Sequence, residues 1–61
     1  MIHKTAEVNP TAKIADGVKI WNLTQVREDA SIGENTSIGY ACYIDKNVII
    51  GRNWNLVGVI P

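Results

Sequence analysis

The chain repeats itself every six residues, and this period decides which folds are open to it. Counting by sixes from Ile2 gives Ile2, Val8, Ile14, Ile20, Val26, Ile32, Ile38, Ile44, Ile50 and Leu56, all branched aliphatics. Counting from Ala6 gives Ala6, Ala12, Val18, Thr24, Ala30, Thr36, Cys42, Val48, Trp54 and Ile60, none of them charged. Together the two columns take 20 of the 61 residues and none of the 12 charges; random placement would put about four charges there. Six residues carry an α-helix about 240° past a full turn, so a helix would scatter the aliphatics around its circumference.

With the aliphatic position written i, the small position i−2 lies on the same side of an extended segment. A longer strand would turn i+2 inward too. That column reads Lys4, Pro10, Asp16, Asn22, Glu28, Glu34, Tyr40, Lys46, Arg52 and Gly58, a set suited to water. The strand must therefore stop just after i. Gly33, Gly39 and Gly51 at i+1, and Gly17, Asn35, Asn47 and Asn53 at i+3, are residues suited to a corner. Short strands and corners with a constant inward face make an all-β solenoid.

Three corners per turn give an 18-residue coil and about three coils. Residues 18 apart then become neighbours, placing Arg27 beside Asp45, Glu28 beside Lys46, Glu34 beside Arg52, and Gln25 beside Tyr43. Most of these pairs are favourable across strands; Asp16 beside Glu34 is not. Trp54 is too large for its inward column, so it is expected either to cap the open end of the prism or to peel away. Leu23, Ala41 and Val59 form an apolar ladder at i+3 on the outside, which suggests self-association.

Residues 1–61 are read as a single domain, with 53–61 an atypical or frayed end. Six basic and six acidic residues cancel, and no basic patch points to nucleic acid or an anionic membrane. No apolar run approaches a membrane span, and the first residues do not read as a signal peptide, so the expected location is the cytoplasm. The single cysteine, Cys42, lies in the inward column and is expected to be a buried structural thiol. No metal-ligand pattern is present.

"SIGENT", "SIGYAC", "YIDKNV" and "IIGRNW" resemble the hexapeptide-repeat pattern of the left-handed β-helix acyltransferases. The resemblance implies a left-handed parallel β-helix. The stretch "IHKTAEVNPTAKIADGVKIWNLTQVREDASIGENTSIGYACYIDKNVIIGRN" is similar to the opening of N-acetyltransferases acting on the 3-amino group of nucleotide-linked deoxyamino sugars. That likeness implies acetyl-CoA as co-substrate and a homotrimer with active sites between subunits. It also implies an acceptor side around Trp21, Asn22, Gln25 and Arg27. Such enzymes often have histidine where this chain has Asn22 and Gln25, and the catalytic base is left unassigned. Their acetyl-CoA contacts lie mostly on later coils. By this resemblance the chain is expected to correspond to an N-terminal part and to be inactive alone.

Single residues also have plainer readings. His3, the only histidine, reads as a surface residue of the first corner. Trp21 suits a subunit interface as well as a nucleotide base, and Arg27 suits Asp45 as well as a phosphate. The alternative for the whole chain is a non-catalytic solenoid used for assembly or ice binding. Thr5, Thr11, Thr24 and Thr36 fall in two different columns and give no ice-binding face.

Overall fold

A computed structural model describes all residues, 1–61. The chain is a left-handed parallel β-helix of about three coils. Ten two-residue strands form three parallel sheets, one on each side of a prism. The first sheet holds β1 (Glu7–Val8), β4 (Gln25–Val26), β7 (Tyr43–Ile44) and β10 (Val59–Ile60). The second holds β2 (Lys13–Ile14), β5 (Ser31–Ile32) and β8 (Ile49–Ile50). The third holds β3 (Lys19–Ile20), β6 (Ser37–Ile38) and β9 (Asn55–Leu56), with Ile2 bridged to Ile20 at its edge. No helix is long and apolar enough to cross a membrane.

The register follows the 18-residue coil: Val8 pairs with Val26 and Val26 with Ile44, Ile14 with Ile32 and Ile32 with Ile50, and Ile20 with Ile38 and Ile38 with Leu56. Burial grades from the middle outward. Ile20, Val26, Ile32, Ile38, Ile44 and Ile50 are buried, while Val8, Ile14 and Leu56 are half-buried. Ile2 is exposed because no coil covers it. Each fully buried aliphatic contributes about 1.5–3 kcal/mol by leaving water.

The small column performs a second task. Thr24 and Thr36 are buried, and each hydroxyl is satisfied twice. Thr36 Oγ1 donates to the Gly51 carbonyl at 2.7 Å and accepts from the Trp54 amide at 3.3 Å. Thr24 Oγ1 donates to the Gly39 carbonyl at 2.7 Å and accepts from the Cys42 amide at 3.4 Å. Cys42 is buried beneath the Leu56 carbonyl, as its column predicts. Thr36→Val keeps the shape but strips both bonds and leaves the Gly51 carbonyl without this donor. We expect it to cost about 1–3 kcal/mol in urea unfolding. A variant as stable as the parent would show that the hydroxyl does not join the coils.

The corners use one backbone device throughout. Position i+3 is left-handed at Gly17, Leu23, Asp29, Asn35, Ala41, Asn47 and Asn53, with φ between 53° and 75°. Gly17, Asn35, Asn47 and Asn53 suit this conformation, whereas Leu23 and Ala41 adopt it against their intrinsic preference. The amides of Asn35, Ala41, Asn47 and Asn53 donate to the carbonyls of Asp16, Asn22, Glu28 and Glu34 in the coil beneath. Over the first two corners a threonine hydroxyl takes the carbonyl's place: Leu23 N donates to Thr5 Oγ1 and Asp29 N to Thr11 Oγ1.

Two expectations change at the C-terminal end. Column counting puts Ile60 at the small position and Val59 on the Leu23–Ala41 ladder. Instead Ile60 pairs with Ile44 and Val59 with Tyr43, a separation of 16. The corner after β9 closes with only Val57 and Gly58, the latter at φ 90°, so the chain regains the inward position two residues early. Trp54 neither peels away nor lies across the open end as a cap. Its backbone stays in the coil, bonded to Thr36 Oγ1 and to the Ser37 amide. Its indole, 57% exposed, rims the open end with Val48, Ile50, Leu56 and Ile60 and lies against Gly51.

Candidate functional site

The outer face of the first sheet carries Glu7, Gln25, Tyr43 and Val59 in one row, because β1, β4, β7 and β10 stack in register. One edge of this face is the corner Trp21–Asn22–Leu23, and the other is Arg27–Glu28–Asp29. The four residues expected on the acceptor side thus span one side of a single coil. Gln25 and Arg27 line an open cleft with Ala6–Pro10, whereas Trp21 and Asn22 stand at the opposite edge, outside it. Trp21 is exposed, with its amide donating to the Ile38 carbonyl. Asn22 is half-buried, and its carbonyl accepts from the Ala41 amide at 2.9 Å.

Arg27 does not pair with Asp45. Its Nε donates to Glu28 Oε1 at 2.9 Å, its Nη2 to Glu28 Oε2 at 3.4 Å, and its Nη1 to the Tyr43 hydroxyl at 2.6 Å. The corner places Glu28 side-on to the guanidinium fork, and Tyr43 arrives from the coil above. Asp45 is turned to its own corner, where Oδ1 accepts from the Lys46 amide at 2.7 Å. Arg27–Glu28 is the only ion pair in the chain, so Glu34 and Arg52 do not close theirs.

The hydrogen bond that Arg27 donates to Glu28, followed by the one it donates to Tyr43, raises Arg27 above its ordinary range. Glu28 is lowered, first by a hydrogen bond from its own backbone and then by Arg27, with a lesser contribution from the Lys46 charge.

What column reasoning missed at this site is that Tyr43 and Glu28 are the partners of Arg27. A usable signal exists for Tyr43. Positions i+1 on one coil and i−1 on the next are 16 residues apart and meet diagonally, within reach of long side chains. Glu28 offers no such signal, since adjacent residues rarely face each other in regular structure.

His3 lies in the first corner, where Nδ1 is 2.9 Å from Thr5 Oγ1 and accepts from the Thr5 amide at 3.2 Å. It does not line the cleft. The edge bearing Trp21 also carries His3, Lys4, Thr5 and Asn22. Leu23, Tyr40 and Val57 are exposed along it, while the other two edges carry mostly charged, Asn and Gly residues.

Residues 11–46, which is 36 of the 61, match the bacterial transferase hexapeptide family (six repeats). No solved structure matches the chain.

Proposed function

The chain belongs to the bacterial transferase hexapeptide family, and from that premise we propose that it supplies the acceptor side of an acetyl-CoA-dependent N-acetyltransferase for a nucleotide-linked amino sugar. The observation that carries the reading is the single face on which Gln25 and Arg27 share a cleft while Trp21 and Asn22 stand at its far edge. Each type suits one part of such a substrate. Arg27 offers a forked donor for the diphosphate, and Trp21 an aromatic face for the base. Gln25 and Asn22 offer amide groups for sugar hydroxyls. In the reaction the neutral amine attacks the thioester carbon, the C–N bond forms, and the C–S bond breaks. The proton leaving nitrogen ends on the coenzyme A thiolate.

Titration calorimetry of the 61-residue chain with amino-sugar nucleotides tests the acceptor half alone. We expect measurable binding that weakens about tenfold in Arg27→Ala, the loss of one charge-assisted contact. Thiol release tests the other half. The resemblance puts most acetyl-CoA contacts on other coils, so turnover by these residues alone is expected well below about one per second. Absence of nucleotide-sugar binding by a folded chain would overturn the reading, leaving a non-catalytic solenoid.

The reading includes a homotrimer formed through the edge that exposes Trp21, Leu23, Tyr40 and Val57. Leu23 supports it: a 64%-exposed leucine held at φ 60° gains nothing in an isolated chain. Leu23→Asn relieves that backbone and removes the contact. We expect the variant to be more stable as a monomer by about 0.5–1 kcal/mol, yet to sediment as a monomer where the parent sediments as a trimer. A parent that is monomeric at micromolar concentration contradicts the assembly.

A further inference from the structure

We propose that Glu28 is a resident competitor at Arg27, occupying the guanidinium edge that a diphosphate would take and thereby setting the affinity of the cleft for anions. The proposal rests on the reading of Arg27 as the phosphate contact. It adds a regulating residue that neither the repeat pattern nor the family match assigns.

Three observations support it. First, Glu28 takes Nε and Nη2 together, the side-on fork that also fits two phosphate oxygens. Second, the guanidinium is fixed independently of Glu28, because Nη1 is held at 2.6 Å by the Tyr43 hydroxyl from the next coil. Removing Glu28 therefore frees the fork without releasing the arginine. Third, Arg27 is the only cation lining the cleft, whose other charged residue is Glu7. An arriving anion finds its one cation already neutralised.

The charges around the pair agree with this arrangement. Asp29 adjoins Glu28 in the same corner, and Asp45 and Lys46 occupy the corner above. With Glu28 in place the neighbourhood repels a polyanion. Without it, Arg27 and Lys46 leave the corner closer to neutral. An exposed ion pair is weak, so the competition is one that a doubly charged ligand can win.

Inorganic pyrophosphate is the probe, titrated by calorimetry into the parent, Glu28→Gln, Arg27→Ala and the double variant at neutral pH. Glu28→Gln is expected to bind pyrophosphate about threefold to tenfold more tightly, with the gain shrinking as salt rises. Arg27→Ala is expected to bind weakly whether or not Glu28 is present. Glu28→Ala serves as a second variant, and its gain should match that of Glu28→Gln. Unchanged or weaker binding in both Glu28 variants, with the fold intact by circular dichroism, overturns the proposal and makes Glu28 a support for Arg27. Amino-sugar nucleotides separate the two readings. If pyrophosphate binding rises in Glu28→Gln but no amino-sugar nucleotide binds, the competitor stands and the acceptor assignment falls. If the parent binds the nucleotide sugar and the Glu28 variants gain nothing, the reverse holds.

Discussion

Gly33→Ala is expected to cost about 2–4 kcal/mol, a large part of the roughly 3–9 kcal/mol available to a domain of this size. A β-carbon at Gly33 would stand 2.7 Å from Gly51 C, 2.8 Å from Arg52 N and 2.9 Å from Gly51 O. All three are backbone atoms of the next coil. They cannot retreat without stretching the bond from the Gly33 amide to the Ile50 carbonyl, now 2.9 Å. Gly51→Ala is the control. Its β-carbon would meet only the Trp54 indole, with Nε1 at 3.1 Å, and a side chain at an open end can swing aside. Urea unfolding should therefore rank Gly33→Ala well below Gly51→Ala. Equal losses would mean that the coils do not stack as closely at that corner as described.

Ile38→Ala should be at least as damaging. Ile38 has no exposed surface and sits in the middle coil, paired with Ile20 on one side and Leu56 on the other. A parallel β-helix this narrow has few ways to collapse around a missing side chain, because its backbone spacing is set by ladder bonds. We expect a loss of about 3–5 kcal/mol, at the upper end for such truncations. Ile2→Ala makes the same chemical change at an exposed end and is expected to cost less than about 1 kcal/mol. If the two variants unfold at similar urea concentrations, the column does not form one graded core.

The aliphatic column made the prism legible in the sequence because burial in a solenoid depends on counting alone. Each inward residue recurs wherever the corners keep equal length. The same rule misplaced Ile60 and Val59, since counting is blind to a corner that closes in two residues. Asn35, Asn47 and Asn53 announced left-handed corners by their type, whereas Leu23 and Ala41 reach the same conformation only because the coil imposes it. The glycines of the i+1 column looked like turn residues, but at Gly33 the need is space beside a neighbouring backbone. At the candidate site, Gln25 beside Tyr43 followed from the coil length. The partner of Arg27 did not, because Asp45 and Glu28 are both within the reach of a long side chain. Corner geometry chose between them.

Every ladder contact joins residues 16 or 18 apart, and each coil touches only those directly above and below it. The chain therefore has no distant closure to make. Once two coils have met, each further coil is a loop closure of the same modest length, and folding can spread from the centre toward both ends like a zipper. Loss of structure should run the same way in reverse. Amide exchange is then slowest where a strand is covered on both sides, at β4, β5, β6 and β7, and fastest at Ile2 and β10. A molecule built this way has a gradient of local opening along its axis, rising to the global unfolding energy at its centre.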